Sequence, residues 1–86
     1  MKDDISSKEL VIDYPCIWRY KVIVAAASDI KAIIKRVLNE REYAIKSSNQ
    51  KGAYISYNLE LTVQSGEDRE AVFRALEKDT DVKFIL

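Results

Sequence analysis

Apolar and polar positions alternate with two distinct periods along this chain, and the switches between them set out its elements. From Ile17 to Ala25, β-branched and aromatic residues dominate, with Trp18, Tyr20, Val22 and Val24 at one parity and Arg19 and Lys21 at the other. A period of two is the mark of a half-buried strand. The period then changes. Ile30, Ile33, Ile34, Val37 and Leu38 fall at i, i+3, i+4, i+7 and i+8 and make one helical stripe. Ser28 is the expected N-cap, with Asp29 favourably placed at the positive end of the helix dipole. Tyr43 to Ser48 reads as a weaker second strand, and Asn49 to Gly52 as the turn after it. The longest alternating run follows: Ile55, Tyr57, Leu59, Leu61 and Val63 interleave with Tyr54, Ser56, Asn58, Glu60 and Thr62.

Ser65, with Asp68 three positions later, approximates a capping box and opens a second helix. Val72, Phe73, Ala75 and Leu76 form its stripe, Glu67, Asp68 and Glu70 load its first turn, and Lys78 sits near its end. Asp79 to Asp81 break that helix, and Val82 to Leu86 supply a closing strand.

The order βαββαβ predicts an α+β, ferredoxin-like two-layer sandwich. Its antiparallel four-stranded sheet has the order 4-1-3-2, with both helices on one face. The whole chain, 1–86, is one domain, with residues 1–9 loose and Leu10, Val11 and Ile12 a short apolar patch that docks on the body. Strands one and three, the longest and most apolar, take the centre. Strands two and four take the borders, where unpaired amides can add another protein's strand.

Composition narrows the function classes. Without histidine, triads that use it are excluded, and the side chain best suited to proton transfer near neutral pH is missing. One cysteine, Cys16, allows no internal disulfide and fits a reducing cytoplasm. Beside Pro15, with Arg19 the only cation close in sequence, it reads as an inert, half-buried thiol. No apolar run approaches a membrane span, and residues 1–8 lack the form of a signal peptide. The two glycines cannot supply a P-loop or a dinucleotide fingerprint. The pairs Asp79/Asp81 and Glu40/Glu42 form no recognisable cation loop, and Asp79 to Asp81 are more simply a polar turn. The expected protein is not an enzyme and has no cofactor and no metal.

Tyr14, Pro15, Trp18, Tyr20, Lys21, Val22 and Ile23, then Lys51, Gly52, Tyr54 and Ser56, and a Val-Lys-x-x-Leu ending at Leu86, together resemble the YbeD-like family of small bacterial proteins. The resemblance spans roughly residues 10–86. It implies a βαββαβ domain similar to ACT regulatory modules and no established activity. The chain departs from the family at Val24, where glycine is frequent, which weakens any expectation of a ligand-contacting loop there.

Candidate chemistry lies on the sheet face that the helices leave uncovered. Strand parity assigns to it Arg19, Lys21, Lys46 and Lys83 with Glu60, four cations against one carboxylate, accompanied by Tyr54, Ala44 and Ile85. Arg19, Lys21, Lys46, Tyr54 and Lys83 are therefore the candidate ligand or partner residues, suited to an anion, a nucleotide or an acidic segment. The bland alternative is a solvated face with scattered lysines. Two functions follow. One is a regulatory, ligand-sensing module similar to ACT domains, a homodimer holding a small metabolite at the subunit junction. The other is an adaptor that docks a partner enzyme through the open face or an edge strand. Residues 51–57 superficially resemble an RNA-stacking strand, but the stacking positions would fall on Ala53 and on Ile55, which belongs to the helix-facing set. Zero net charge also argues against nucleic acid.

Overall fold

The structure is a computed structural model that describes residues 12–86. It contains β1 (Cys16–Ala25), α1 (Ile30–Leu38), β2 (Ala44–Lys51), β3 (Tyr54–Val63), α2 (Gly66–Lys78) and β4 (Val82–Ile85). The spatial order β2-β3-β1-β4 is the expected 4-1-3-2, and every neighbouring pair is antiparallel. The fold is the predicted α+β, ferredoxin-like sandwich. Residues 1–9, expected to be loose, lie outside the described residues together with Leu10 and Val11. Ile12, the last member of that apolar patch, is exposed.

Register explains the layering. Cys16 pairs with Val63 and Ala25 with Tyr54 without interruption, so Tyr20, Val22 and Val24 stand on the same side as Leu59, Leu61 and Val63. All six are buried. On that side the helices add Ile33, Ile34 and Leu38 from α1 and Val72 and Leu76 from α2, and Val82 completes the core. A nine-residue helix is too short to hold in water alone. Packing of its stripe on the sheet therefore maintains α1. Tyr20 is 2% exposed, and its hydroxyl, which would be costly to bury unbonded, donates to the Arg69 carbonyl of α2 at 2.7 Å. Trp18 also packs on the core, as its parity predicts, and Val24 is buried within it.

Four local expectations change. Asp29, rather than Ser28, is the N-cap of α1: its carboxylate accepts from the Lys31 and Ala32 amides, while the Ser28 amide closes a turn onto the Ala25 carbonyl. Asn49, Gln50 and Lys51 continue β2, and the hairpin turn shrinks to Gly52 and Ala53, with Lys51 opposite Tyr54. Gly52, at φ +61°, supplies the positive dihedral that a two-residue hairpin with glycine first requires. Ser48 is then an unpaired extra residue, a bulge that inverts the parity of β2, so that Asn49 and Lys51 beyond it face the same side as Ala44 and Lys46 before it. The fourth change is in β4. Lys83 is the extra residue of a second bulge, so Phe84 pairs with Ile23 on the open face and Ile85 pairs with Val22 on the helix side. The expectation that Ile85 shares the open face is therefore corrected to Phe84.

The capping of α2 follows the sequence more closely. Ser65 accepts from the Asp68 amide at 3.0 Å, and the Asp68 carboxylate reaches back to the Gln64 amide at 2.8 Å, one residue before its usual target in a capping box.

Candidate functional site

The open face is built by the parity that leaves β1 odd and β3 even positions away from the helices. Arg19 stands opposite Glu60, Lys21 opposite Asn58, and Ile23 opposite Ser56. β2 adds Ala44, Lys46, Asn49 and Lys51 beside the same β3 residues. The Arg19 Nε donates to Glu60 Oε2 at 2.7 Å, a cross-strand pair in water that contributes little stability but fixes the guanidinium over the sheet. Lys21, Lys46 and Lys51 form no ion pair among the described residues.

Two shallow depressions mark this face. The first, about 360 Å³, is lined by Arg19, Ala44, Ile45, Lys46, Asn58 and Glu60, with the small Ala44 side chain leaving the space above the sheet. The second, about 280 Å³, lies between Lys21, Ile23, Asn49, Lys51, Tyr54, Ser56 and Leu86. The structure thus brings Arg19 and Lys46 together in one depression, and Lys21 and Tyr54 in the other. Lys83 is exposed at the β4 bulge and lines neither. Sequence reasoning missed Lys51, Phe84 and Leu86. Lys51 was hidden by reading a four-residue turn, although the parity of Tyr54 carried back across a two-residue hairpin would have placed it. Phe84 and Leu86 are 67% and 72% exposed. Leu86 joins the sheet edge by exchanging both backbone hydrogen bonds with Lys21.

Groups with displaced pKa lie away from this face and are engaged in the fold. Burial pushes the Tyr20 phenol up to about 12. The Arg41 guanidinium and the Gln64 amide hold the Asp68 carboxyl below its usual range. Asp79 is likewise lowered, chiefly by hydrogen bonds from Arg36. That arginine spans Asp79 and Asp81 at 2.9 and 2.8 Å. The acidic turn after α2 is thus occupied by a side chain of α1, and it ties the two helices together. Cys16 is partly buried against the core. Ile55 pairs with Val24, the parity that turns its side chain from the open face. No described helix is long and apolar enough to cross a membrane.

Comparison with known proteins agrees with this architecture. Residues 9–86 match the family described as "Protein of unknown function (DUF493)". The chain belongs to the DUF493 family. Two uncharacterised or family-level relatives show how far the likeness extends. An uncharacterised protein of Campylobacter jejuni is 40% identical over 81 residues, covering 92% of this chain and 91% of its own length. A UPF0250 protein of Idiomarina loihiensis is 30% identical over 81 residues, covering 88% and 91%. A solution structure of a Helicobacter pylori protein superposes with a TM-score of 0.74 at 22% identity, covering 88% of this chain and 86% of that one. The resemblance to YbeD-like proteins thus holds within DUF493, and the shared feature is the fold.

Proposed function

We propose that this domain is a recognition module without catalysis of its own, which docks an acidic, partly apolar segment of a partner protein on its open sheet face. The observation that carries the reading is the composition of that face. Lys21, Lys46 and Lys51 have no carboxylate partner among the described residues, and they share the face with the exposed side chains of Tyr54, Phe84 and Leu86, Lys51 pairing with Tyr54 and Lys21 with Leu86. Exposed apolar side chains interspersed with one sign of charge suit a protein segment of the opposite sign. Both depressions are wide and shallow, which suits a peptide surface better than an enclosed small molecule. The displaced titratable groups all spend their bonds on structure, which supports a binding role over a catalytic one. The lone partly buried cysteine suits the reducing cytoplasm as the setting.

A ligand-sensing role similar to that of ACT domains is the second reading, favoured by the depression where Arg19 and Lys46 converge. A small anionic metabolite would sit there, completed by a second copy of the chain. The test compares the wild type with a Lys21→Glu/Lys46→Glu/Lys51→Glu variant and with a Lys31→Glu/Lys78→Glu control that changes helix charges. The docking reading expects a specific host protein to be retained by wild type and control and lost by the face variant. Equal retention by all three overturns it. Metabolite binding that accompanies concentration-dependent dimerisation favours the sensing role instead.

A further inference from the structure

We propose that the edge of β1 left unpaired among the described residues, which adjoins the open face at Arg19, adds an extended partner segment as a fifth strand. β4 pairs only with residues 22–24 of β1, and Leu86 closes the ladder on Lys21 with hydrogen bonds of 3.0 and 2.9 Å. In an antiparallel ladder, alternate residues direct both backbone groups to the same neighbour. Lys21 directs its pair toward the β4 side. Arg19 and Ile17 therefore direct theirs the same way, past the end of β4, and among the described residues nothing pairs with them.

The other borders of the sheet are blunted and this one is not. β2 is polar from Lys46 onward and is interrupted by the Ser48 bulge, and β4 is four residues long with its own bulge at Lys83. Such features discourage strand addition. The β1 stretch before Lys21 has the sequence of a central strand, Ile-Trp-Arg-Tyr, and runs straight, without a bulge, against β3.

Both sides of the slot specify the occupant. On the helix side lies a groove of about 330 Å³, lined by Trp18, Phe73 and Arg69 among others, with the Arg69 guanidinium 4.7 Å from the Trp18 ring centre. On the open side stand Arg19 and Ile17, the latter 70% exposed. The Arg19 bonds to Glu60 engage Nε and one terminal nitrogen, which leaves donors free for another carboxylate. An added strand alternates its side chains between these two sides. The segment that fits places apolar residues in the Trp18–Phe73 groove and acidic residues beside Arg19.

The test titrates the full ¹⁵N-labelled chain with a capped peptide of alternating glutamate and valine, and with a lysine–valine control. The proposal expects amide shifts and slowed hydrogen exchange at Ile17 and Arg19 with the acidic peptide. Ile17→Pro removes one outward donor without touching the bonds to β3, and it lowers affinity about fivefold, the worth of one backbone hydrogen bond. Arg19→Glu, which leaves the β1 backbone intact, weakens the acidic peptide and strengthens the basic one. Lys46→Glu/Lys51→Glu leaves the shifts and the slowed exchange at Ile17 and Arg19 unchanged, and that site-resolved readout separates this edge from the open-face reading. Perturbation confined to Lys46, Lys51 and Tyr54, no binding at all, or amides of Ile17 and Arg19 already protected in the free chain each overturns the proposal.

Discussion

Replacing Asp68 by alanine removes a carboxylate that joins three parts of the chain. Its two oxygens accept from Arg41 Nη1 and Nη2 at 2.9 Å each, and one of them also accepts from the Gln64 amide at 2.8 Å. Arg41 in turn donates to the Thr62 carbonyl at 2.8 Å, so the network links the α1–β2 connection to the end of β3 and the start of α2. The side chains are 35% and 21% exposed, and a fully buried pair is not the right reference. Discounting the bidentate pair for solvent gives about 1 to 1.5 kcal/mol. The exposed Gln64 amide regains water and adds about 0.5 kcal/mol. The expected loss is therefore about 1.5 to 2 kcal/mol, read as a lower urea midpoint from Trp18 fluorescence at pH 7. The pH dependence has a definite sign. The folded-state pKa of Asp68 is lowered, so its contribution is complete above the unfolded carboxyl pKa of about 3.9 and disappears as pH falls through the folded value. Asp68→Asn, which resembles the protonated acid, should thus match the wild type in strong acid and fall behind it near neutrality. A deficit below about 0.5 kcal/mol at pH 7, or one that does not change with pH, refutes the network as described.

Tyr20→Phe should cost about 1 kcal/mol, because it deletes the buried donor to the Arg69 carbonyl, and denaturant unfolding measures it. In the wild type, absorbance titration should show one of the five tyrosines ionising only near pH 12; the stability Tyr20 contributes is complete below pH 10 and lost as pH rises toward that value. Gly52→Ala should destabilise by about 1 kcal/mol from positive φ alone, since a methyl there meets nothing within 4 Å, and thermal melting reads it directly. Asp79→Asn should lower stability near neutrality and converge with the wild type in acid, because the folded Asp79 pKa is lowered by Arg36 and its contribution fades as pH drops through that value; urea unfolding at a series of pH values measures it.

The sheet was legible wherever alternation was uninterrupted. β1 and β3 share ten consecutive paired positions, so one residue of known facing fixes all the others, and Arg19, Lys21 and Tyr54 follow. The helices were legible because Ile33, Ile34 and Leu38, and Val72, Phe73 and Leu76, share one face at a helical period, whereas an alternating strand would put the adjacent members on opposite sides. What the sequence concealed arises from single-residue events. One extra residue at Lys83 exchanges the facing of Ile85 and Phe84, and no local composition announces a bulge. Ser28 and Asp29 are both good caps, and the choice depends on which of them the turn from Ala25 presents to the free helix amides. The ion pairs of Arg36 and Arg41 join residues 27 to 45 positions apart, and only the closed fold brings them together. The slot beside Ile17 and Arg19 was hidden for the same reason, since it depends on how far along β1 the short β4 reaches.

The account stands on the open sheet face being the surface that meets a partner. A photo-crosslinking amino acid at position 58, at the centre of that face, and another at position 77, on the exposed side of α2, would be irradiated in the native host and the adducts sequenced. Adducts from position 58 alone, mapping to an acidic and apolar segment of one protein, are the predicted result. Adducts from position 77 with none from position 58 would contradict it.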